Sequence, residues 1–156
     1  MTTNEHPAGP AARLDYARTA PKVFRAMIAL DAAAREGLDP AMVELVQVRS
    51  SQLNGCAYCL DMHVKDARKA GESDERIYLL PVWREAPAGV YSERERAALA
   101  LAEAVTRIGD GVSDEVYGRA AALFDEKELA QLISLCYTIN AWNRINVATR
   151  KTPVAA

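Results

Sequence analysis

Helix start and stop signals recur along almost the whole chain, and no segment carries the two-residue alternation of a strand. Thr19 stands where it can cap a helix with Pro21 in its first turn. Val23, Phe24, Met27 and Ile28 share one face of that helix, and Gly37 stops it. Asp39–Pro40 opens a second helix, with the aspartate as N-cap and the proline at the first helical position, where a missing N–H is harmless. This helix turns Met42, Leu45, Val46 and Val48 inward and ends before Asn54–Gly55. A third starts at or just before Cys56 and runs to Ala70, closed by Gly71. Ser73 caps a short helix that Pro81 ends, and a loop with Pro87 and Gly89 follows. Ser92 with Glu95, and Asp125 with Glu128, have the spacing of capping boxes. The first opens a helix bearing Ala98, Leu99, Leu101, Ala102 and Val105, broken at Gly109 to Gly111. Ser113 starts a further short helix, to about Phe124. The second opens the longest helix, roughly Glu126 to Thr149, with Leu129, Leu132, Ile133, Cys136 and Ile139 facing inward. The pattern predicts an all-α, single-domain bundle of six or seven helices.

Size and charge narrow what such a bundle does. With 156 residues the chain is one domain that buries about two thirds of its unfolded surface, so it needs no disulfide or metal to fold. Half of the residues are hydrophobic and 26% are charged, which excludes disorder for the bulk of the chain. Acidic residues outnumber basic ones, 21 to 19, and no basic cluster exists; an electrostatic nucleic-acid binder is excluded. No run approaches the roughly 18 apolar residues of a membrane span. Residues 1–13 hold two prolines and no apolar core, so they are expected to form a loose arm rather than a signal peptide. The helical domain is expected over residues 14–150, with a tail at 151–156 and a cytoplasmic location. Three cysteines, an odd number, argue against a disulfide framework.

Chemistry concentrates between Glu44 and His63. Cys56 and Cys59 stand three apart at a helix start, so both sulfurs share a face, near enough for a disulfide. The unpaired N–H groups and the positive end of the helix dipole favour thiolate, the reactive form. His63, four residues after Cys59, falls one turn further along that face, where an imidazole can take the thiol proton or stabilise the thiolate. The Asn54–Gly55 turn can fold the preceding helix back and bring Glu44 towards the same pocket, where a carboxylate orients the imidazole and raises its basicity. A C-x-x-C pair also reads as half of a zinc site. Four ligands would have to recruit the distant Cys136 beside Cys56, Cys59 and His63, and Cys136 reads better as a small buried hydrophobe. Covalent haem is excluded, because Leu60 follows Cys59. Arg49 reads as a surface or ion-pair residue. Trp142, Asn143, Arg144 and Asn146 read as interface or core residues, their amides bonded to loop backbone.

The run Ser51-Gln-Leu-Asn-Gly-Cys-Ala-Tyr-Cys-Leu-Asp-Met-His63, with Glu44 twelve residues before Cys56, resembles the alkylhydroperoxidase D / carboxymuconolactone decarboxylase family. Ala67 to Glu72, Trp83 to Glu85, Tyr91 to Leu99 and Asn140 to Ile145 also look like its small single-domain members, so the resemblance covers about Leu14 to Arg150. The C-x-x-C-x-x-x-H with its upstream glutamate is similar to the peroxidase-like branch, since the decarboxylases generally lack the cysteine pair. The resemblance implies an all-α fold, a homo-oligomer (a trimer, or a hexamer built as a trimer of dimers) and thiol-dependent reduction of organic hydroperoxides. It calls for an external dithiol or thiol-protein reductant, no cofactor and no metal. The implied catalytic residues are Cys56, Cys59, His63 and Glu44. Cys59, nearest His63, is assigned as the attacking thiolate and Cys56 as the thiol that condenses with it. The opposite order stays open, because the first thiol of many such pairs has the lower pKa. One position departs from the family pattern: its best-known members carry a second histidine directly before the second cysteine, where this chain has Tyr58. An unperturbed tyrosine, pKa about 10, is no base near neutral pH, which points to weak activity or a changed substrate. The same residues would also serve a thiol-disulfide oxidoreductase or redox sensor. Glu44 and His63 alone would serve a cofactor-free decarboxylase with silent cysteines, and a non-enzymatic oligomeric assembly protein is the remaining reading.

Overall fold

The centre of the fold is the helix α3, Pro40–Asn54, in which ten consecutive residues from Met42 to Ser51 are buried. Its sequence predicts one apolar face; burial on every side follows because it is surrounded. In a computed structural model describing residues 10–153, α3 packs against α4 (Ala57–Lys69), α6 (Glu93–Thr106) and α8 (Glu126–Thr149). The helix α2 (Pro21–Arg35) lies along α8, and α7 (Asp114–Leu123) along α6. The remaining helices are the single turn α1 (Tyr16–Thr19) and the short α5 (Asp74–Leu79). The described residues form eight α-helices and two 3-10 turns, with no strand. The fold is therefore all-α as expected, with the one-turn α1 beyond the expected six or seven helices.

That extra turn corrects one assignment. Thr19 does not cap α2: it ends α1, whose N-cap Asp15 accepts from the Arg18 N–H, and α2 starts from Ala20 with no side-chain cap. Elsewhere the punctuation forms as read. Asp39, Ser73 and Ser113 each accept a backbone N–H at a helix start, and both capping boxes close in both directions. The expected arm at 1–13 lies outside the described residues up to position 9. Arg13 donates its backbone N–H to the Thr149 carbonyl at 2.8 Å. Residues 154–156 of the expected tail are also outside.

Two apolar clusters flank α3. One joins Met42, Val43 and Val46 to Leu101, Phe124, Leu132, Leu135 and Cys136, the other joins Leu45 and Val48 to Leu80, Trp83, Tyr91 and Leu99. A helix buried all round carries its polar side chains into the interior, where Gln47 and the Ser50 hydroxyl find no hydrogen-bond partner among the described residues but Arg49 and Ser51 do. Arg49, read as a surface or ion-pair residue, proves to be a buried ion-pair partner: its Nε donates to Glu103 Oε1 at 2.7 Å. Trp83 Nε1 donates to the same oxygen at 2.9 Å, and Arg84 donates to the other. Burial works against the Glu103 charge, but these donors outweigh it and hold its pKa below the ordinary value. No helix among the described residues is long and apolar enough to cross a membrane.

Candidate functional site

The α3–α4 connection builds the site. Gly55 ends α3 in the left-handed region, φ +64°, a conformation that costs an L side chain about 1–2 kcal/mol. The next N–H, of Cys56, reaches back to the Ser51 carbonyl at 3.0 Å, so the chain reverses within two residues. Cys56 then occupies the N-cap of α4, and its sulfur accepts the Cys59 N–H at 3.4 Å. The thiol thus takes the place that serine takes at other helix starts of this chain. Cys59 and His63 follow one turn apart on the buried face of α4, each no more than 2% exposed.

The reversal brings Glu44 level with His63. Glu44 Oε2 lies 2.9 Å from His63 Nδ1, a contact that orients the imidazole and, when Nδ1 carries the proton, leaves Nε2 free for proton exchange. Glu44 Oε1 accepts from Arg35 Nη1 at 2.9 Å, and Arg35 Nε binds Asp31 at 2.8 Å. Arg35, which reaches the site from α2, carries no signal in the residue pattern. A second unforeseen member is Asn146 of α8, whose Nδ2 donates to Cys59 Sγ at 3.2 Å. Asn140, Asn143 and Asn146 form a polar stripe on an otherwise apolar helix face, and that spacing was the available signal. The amides of Asn143 and Asn146 were expected to bond loop backbone. Instead Asn143 joins Asn54 and Ser51 side chain to side chain, at 2.8 and 3.0 Å, which locks α8 against the α3–α4 turn.

This environment separates the cysteines. The Cys59 pKa is lowered to about 6: the hydrogen bond from the Cys56 thiol contributes most, burial opposes it, and Asn146, Asn143 and the nearby His63 add to the lowering. Cys56, which gives that hydrogen bond and is itself buried, moves up. Burial pushes Cys136 up to about 12; it sits in the apolar cluster with Leu132 and Leu135, apart from the pair. All three are free thiols. A zinc set of Cys56, Cys59, His63 and Cys136 is therefore not assembled. Glu44, His63 and Asp66 do converge, their ligand atoms within 4.8 Å of one another, but the Arg35 guanidinium already holds Glu44 and its charge opposes a cation there.

A cavity of about 230 Å³ opens over the site between α2, α4 and α8. Phe24, Ile28, Met62 and Trp142 give it apolar walls, Asp31, Arg35 and Lys151 add charged groups to its lining, and the buried Cys59, His63 and Asn146 form its inner end. Cys56 is not part of its lining.

An all-helical bundle with a C-x-x-C pair at a buried helix start, backed by a Glu–His pair from the adjacent helix, defines a class of small helical thiol proteins. The match of residues 21–104 to the carboxymuconolactone decarboxylase family model places the chain in that family, of which the alkylhydroperoxidase D-like proteins are a branch. Among its relatives, the uncharacterized protein YdfG of Bacillus subtilis (strain 168) is 40% identical over 138 residues, 87% of this chain and 92% of that one. The uncharacterized protein YnjA of Escherichia coli (strain K12) is 36% identical over 115 residues, 73% of this chain and 62% of that one. The crystal structure of ATU0492 from Agrobacterium tumefaciens superposes with a TM-score of 0.89 at 38% identity, covering 94% of this chain and all of that one. ATU0492 is described as of unknown function and provisionally as the antioxidant defence protein AhpD. A peroxidase-related protein from Ralstonia eutropha JMP134, with an alkylhydroperoxidase AhpD core, shares the fold at a TM-score of 0.76 and 22% identity, over 88% of this chain and 74% of that one.

Proposed function

We propose that the protein is a thiol-dependent peroxidase that reduces organic hydroperoxides. The observation that carries this reading is Cys59 at the inner end of an apolar cavity, its pKa lowered, with Cys56 behind it and the Glu44–His63 pair beside it. The Cys59 thiolate attacks the distal oxygen of ROOH. The O–O bond breaks, an S–O bond forms, sulfur is oxidised by two electrons, and the alkoxide leaves as ROH after taking a proton from His63. Glu44 holds the imidazole for that transfer and balances its charge. The Cys56 thiol then attacks the Cys59 sulfenic sulfur, forming the disulfide and releasing water. An external dithiol or thiol protein reduces the disulfide and is itself oxidised to a disulfide. No cofactor or metal enters these steps. We place the activity in the reducing cytoplasm, in a homo-oligomer (a trimer or hexamer) supported by the exposed Val23 and Ile28 on α2.

The test is hydroperoxide consumption with dithiothreitol as reductant. Cys59→Ser is expected to lose the reaction. Cys56→Ser is expected to react once and hold a sulfenic acid that dimedone traps. Activity in Cys59→Ser with a dead Cys56→Ser reverses the order of the cysteines. Absence of turnover in the native protein, with reduction of a protein disulfide instead, refutes the peroxidase reading.

A further inference from the structure

Among the described residues, Lys151 is the one cationic group lining the cavity that holds no carboxylate of the site. Arg35 is held by two carboxylates, Asp31 and Glu44, so its charge is already committed within the protein. The Lys151 ammonium instead lies 4.1 Å from the centroid of the Tyr58 ring, and no carboxylate among the described residues is within ion-pair distance of it. Its position is built rather than incidental. Arg150 ends α8 in the left-handed region, φ +52°, and is the sole residue other than glycine with positive φ among the described residues. That turn lets the Lys151 N–H bond the Asn146 carbonyl at 2.9 Å and sends the side chain back over the cavity instead of onward along the helix axis. Strain of this kind in a residue with a side chain concentrates at functional sites. Tyr58, adjacent to Cys59, supplies the ring that holds the ammonium at the cavity.

The cavity so formed is amphipathic. The Cys59 sulfur lies at the inner end, aromatic and aliphatic side chains form the walls, and the Lys151 ammonium stands over the Tyr58 ring. About 230 Å³ is below the roughly 300–1,000 Å³ of drug-sized ligand sites, so it accepts one ring or a short branched chain rather than an extended lipid. Resting on the peroxidase reading, we propose that the protein selects small hydroperoxides that carry a carboxylate: the apolar body packs against the wall formed by Phe24 and Trp142, whose rings meet edge to face at 5.5 Å, the O–O group meets Cys59, and the carboxylate pairs with Lys151. The Tyr58–Lys151 pair is then a specificity device.

Two matched substrates test this, the para-carboxylate of cumene hydroperoxide and its methyl ester, which share the apolar body and the reacting group. At low salt the native protein is expected to prefer the acid by about fivefold in kcat/KM, the scale of a solvent-exposed ion pair. In Lys151→Gln the acid-to-ester ratio falls to about one, and in Lys151→Glu it falls below one. A native ratio of one, or a preference that survives both substitutions, overturns the proposal. Quenching of Trp142 fluorescence by the corresponding hydroxy acid and hydroxy ester supplies a readout free of redox chemistry. Tighter binding of the hydroxy acid, lost in Lys151→Gln, supports the site even if neither hydroperoxide is consumed, a result that would sink the peroxidase reading alone. Equal binding of acid and ester overturns the site itself.

Discussion

Asn146 gives the sharpest handle on the proposed chemistry, because its side chain bonds the Cys59 sulfur and neither Glu44 nor His63. Its Nδ2 donates to Cys59 Sγ at 3.2 Å from a position 8% exposed. A hydrogen bond to a charged group is worth about 1.5–3 kcal/mol, and sulfur is a weak acceptor, so the lower end applies. At 1.36 kcal/mol per unit, Asn146→Ala raises the Cys59 pKa by about one unit. From a starting value of about 6, roughly nine tenths of the thiol is ionised at neutral pH; one unit higher, roughly half is. Asn146→Asp, equal in shape, sets a carboxylate against the thiolate and raises the value further. The assay is the pH dependence of alkylation by iodoacetamide, with thiolate ultraviolet absorbance in parallel. Cys136, pushed up to about 12, and Cys56, also raised, stay protonated over the range, so the titration reports Cys59. The native midpoint should fall near 6, with the Ala and Asp variants displaced upwards in that order. A midpoint that neither substitution moves would refute the assignment of Asn146 as a thiolate donor.

Three further outcomes follow from the geometry. Glu44→Gln keeps the size of the side chain but removes the charge that orients His63, and hydroperoxide consumption should fall by about a hundredfold with the fold intact by circular dichroism. Glu103→Leu leaves the Arg49 guanidinium and the Trp83 N–H buried without their acceptor and should cost about 3–5 kcal/mol in urea unfolding, or about 10–15 °C in Tm; Arg84→Ala, at an exposed end of the same cluster, should cost less than about 1 kcal/mol. Because the folded pKa of Glu103 is depressed, its stabilisation is fully present above the ordinary value of 4.5 and is lost as pH falls through the folded value, so Glu103→Leu and native protein should converge in stability in acid. Gly55→Ala meets no atom within 4 Å of its new Cβ, so only backbone strain remains and the loss in urea unfolding should be about 1–2 kcal/mol.

The helices were legible because their ends are local events: a capping side chain and the N–H it accepts are three residues apart, whatever the rest of the chain does. Where capping failed, at Thr19, a second local signal competed, since Asp15 starts its own turn and uses the residues up to Thr19. The Cys56–Cys59–His63 face was legible for the same reason, being a matter of spacing on one helix. Glu44 could be reached by one further step, because Asn54–Gly55 is a tight reversal and two helices leaving it run side by side. Arg35 and Asn146 could not, as they come from helices whose rotation about their own axes depends on tertiary packing. Polar residues such as Glu44, Arg49 and Asn146 on helices otherwise bound for the core were the trace that packing left. The burial of α3 on all sides also escaped the periodicity, because a central helix has no solvent face for an amphipathic pattern to record.

In the proposed reaction Cys59 and Cys56 pass from thiols to a disulfide at the expense of a hydroperoxide. One equivalent of cumene hydroperoxide added to the reduced protein, free of reductant, tests it through a thiol count and intact mass. The expected result is the loss of two thiols and two hydrogens in mass, a peptide map linking Cys56 to Cys59, an untouched Cys136 and one equivalent of cumyl alcohol. Three thiols remaining beside unconsumed hydroperoxide would contradict it.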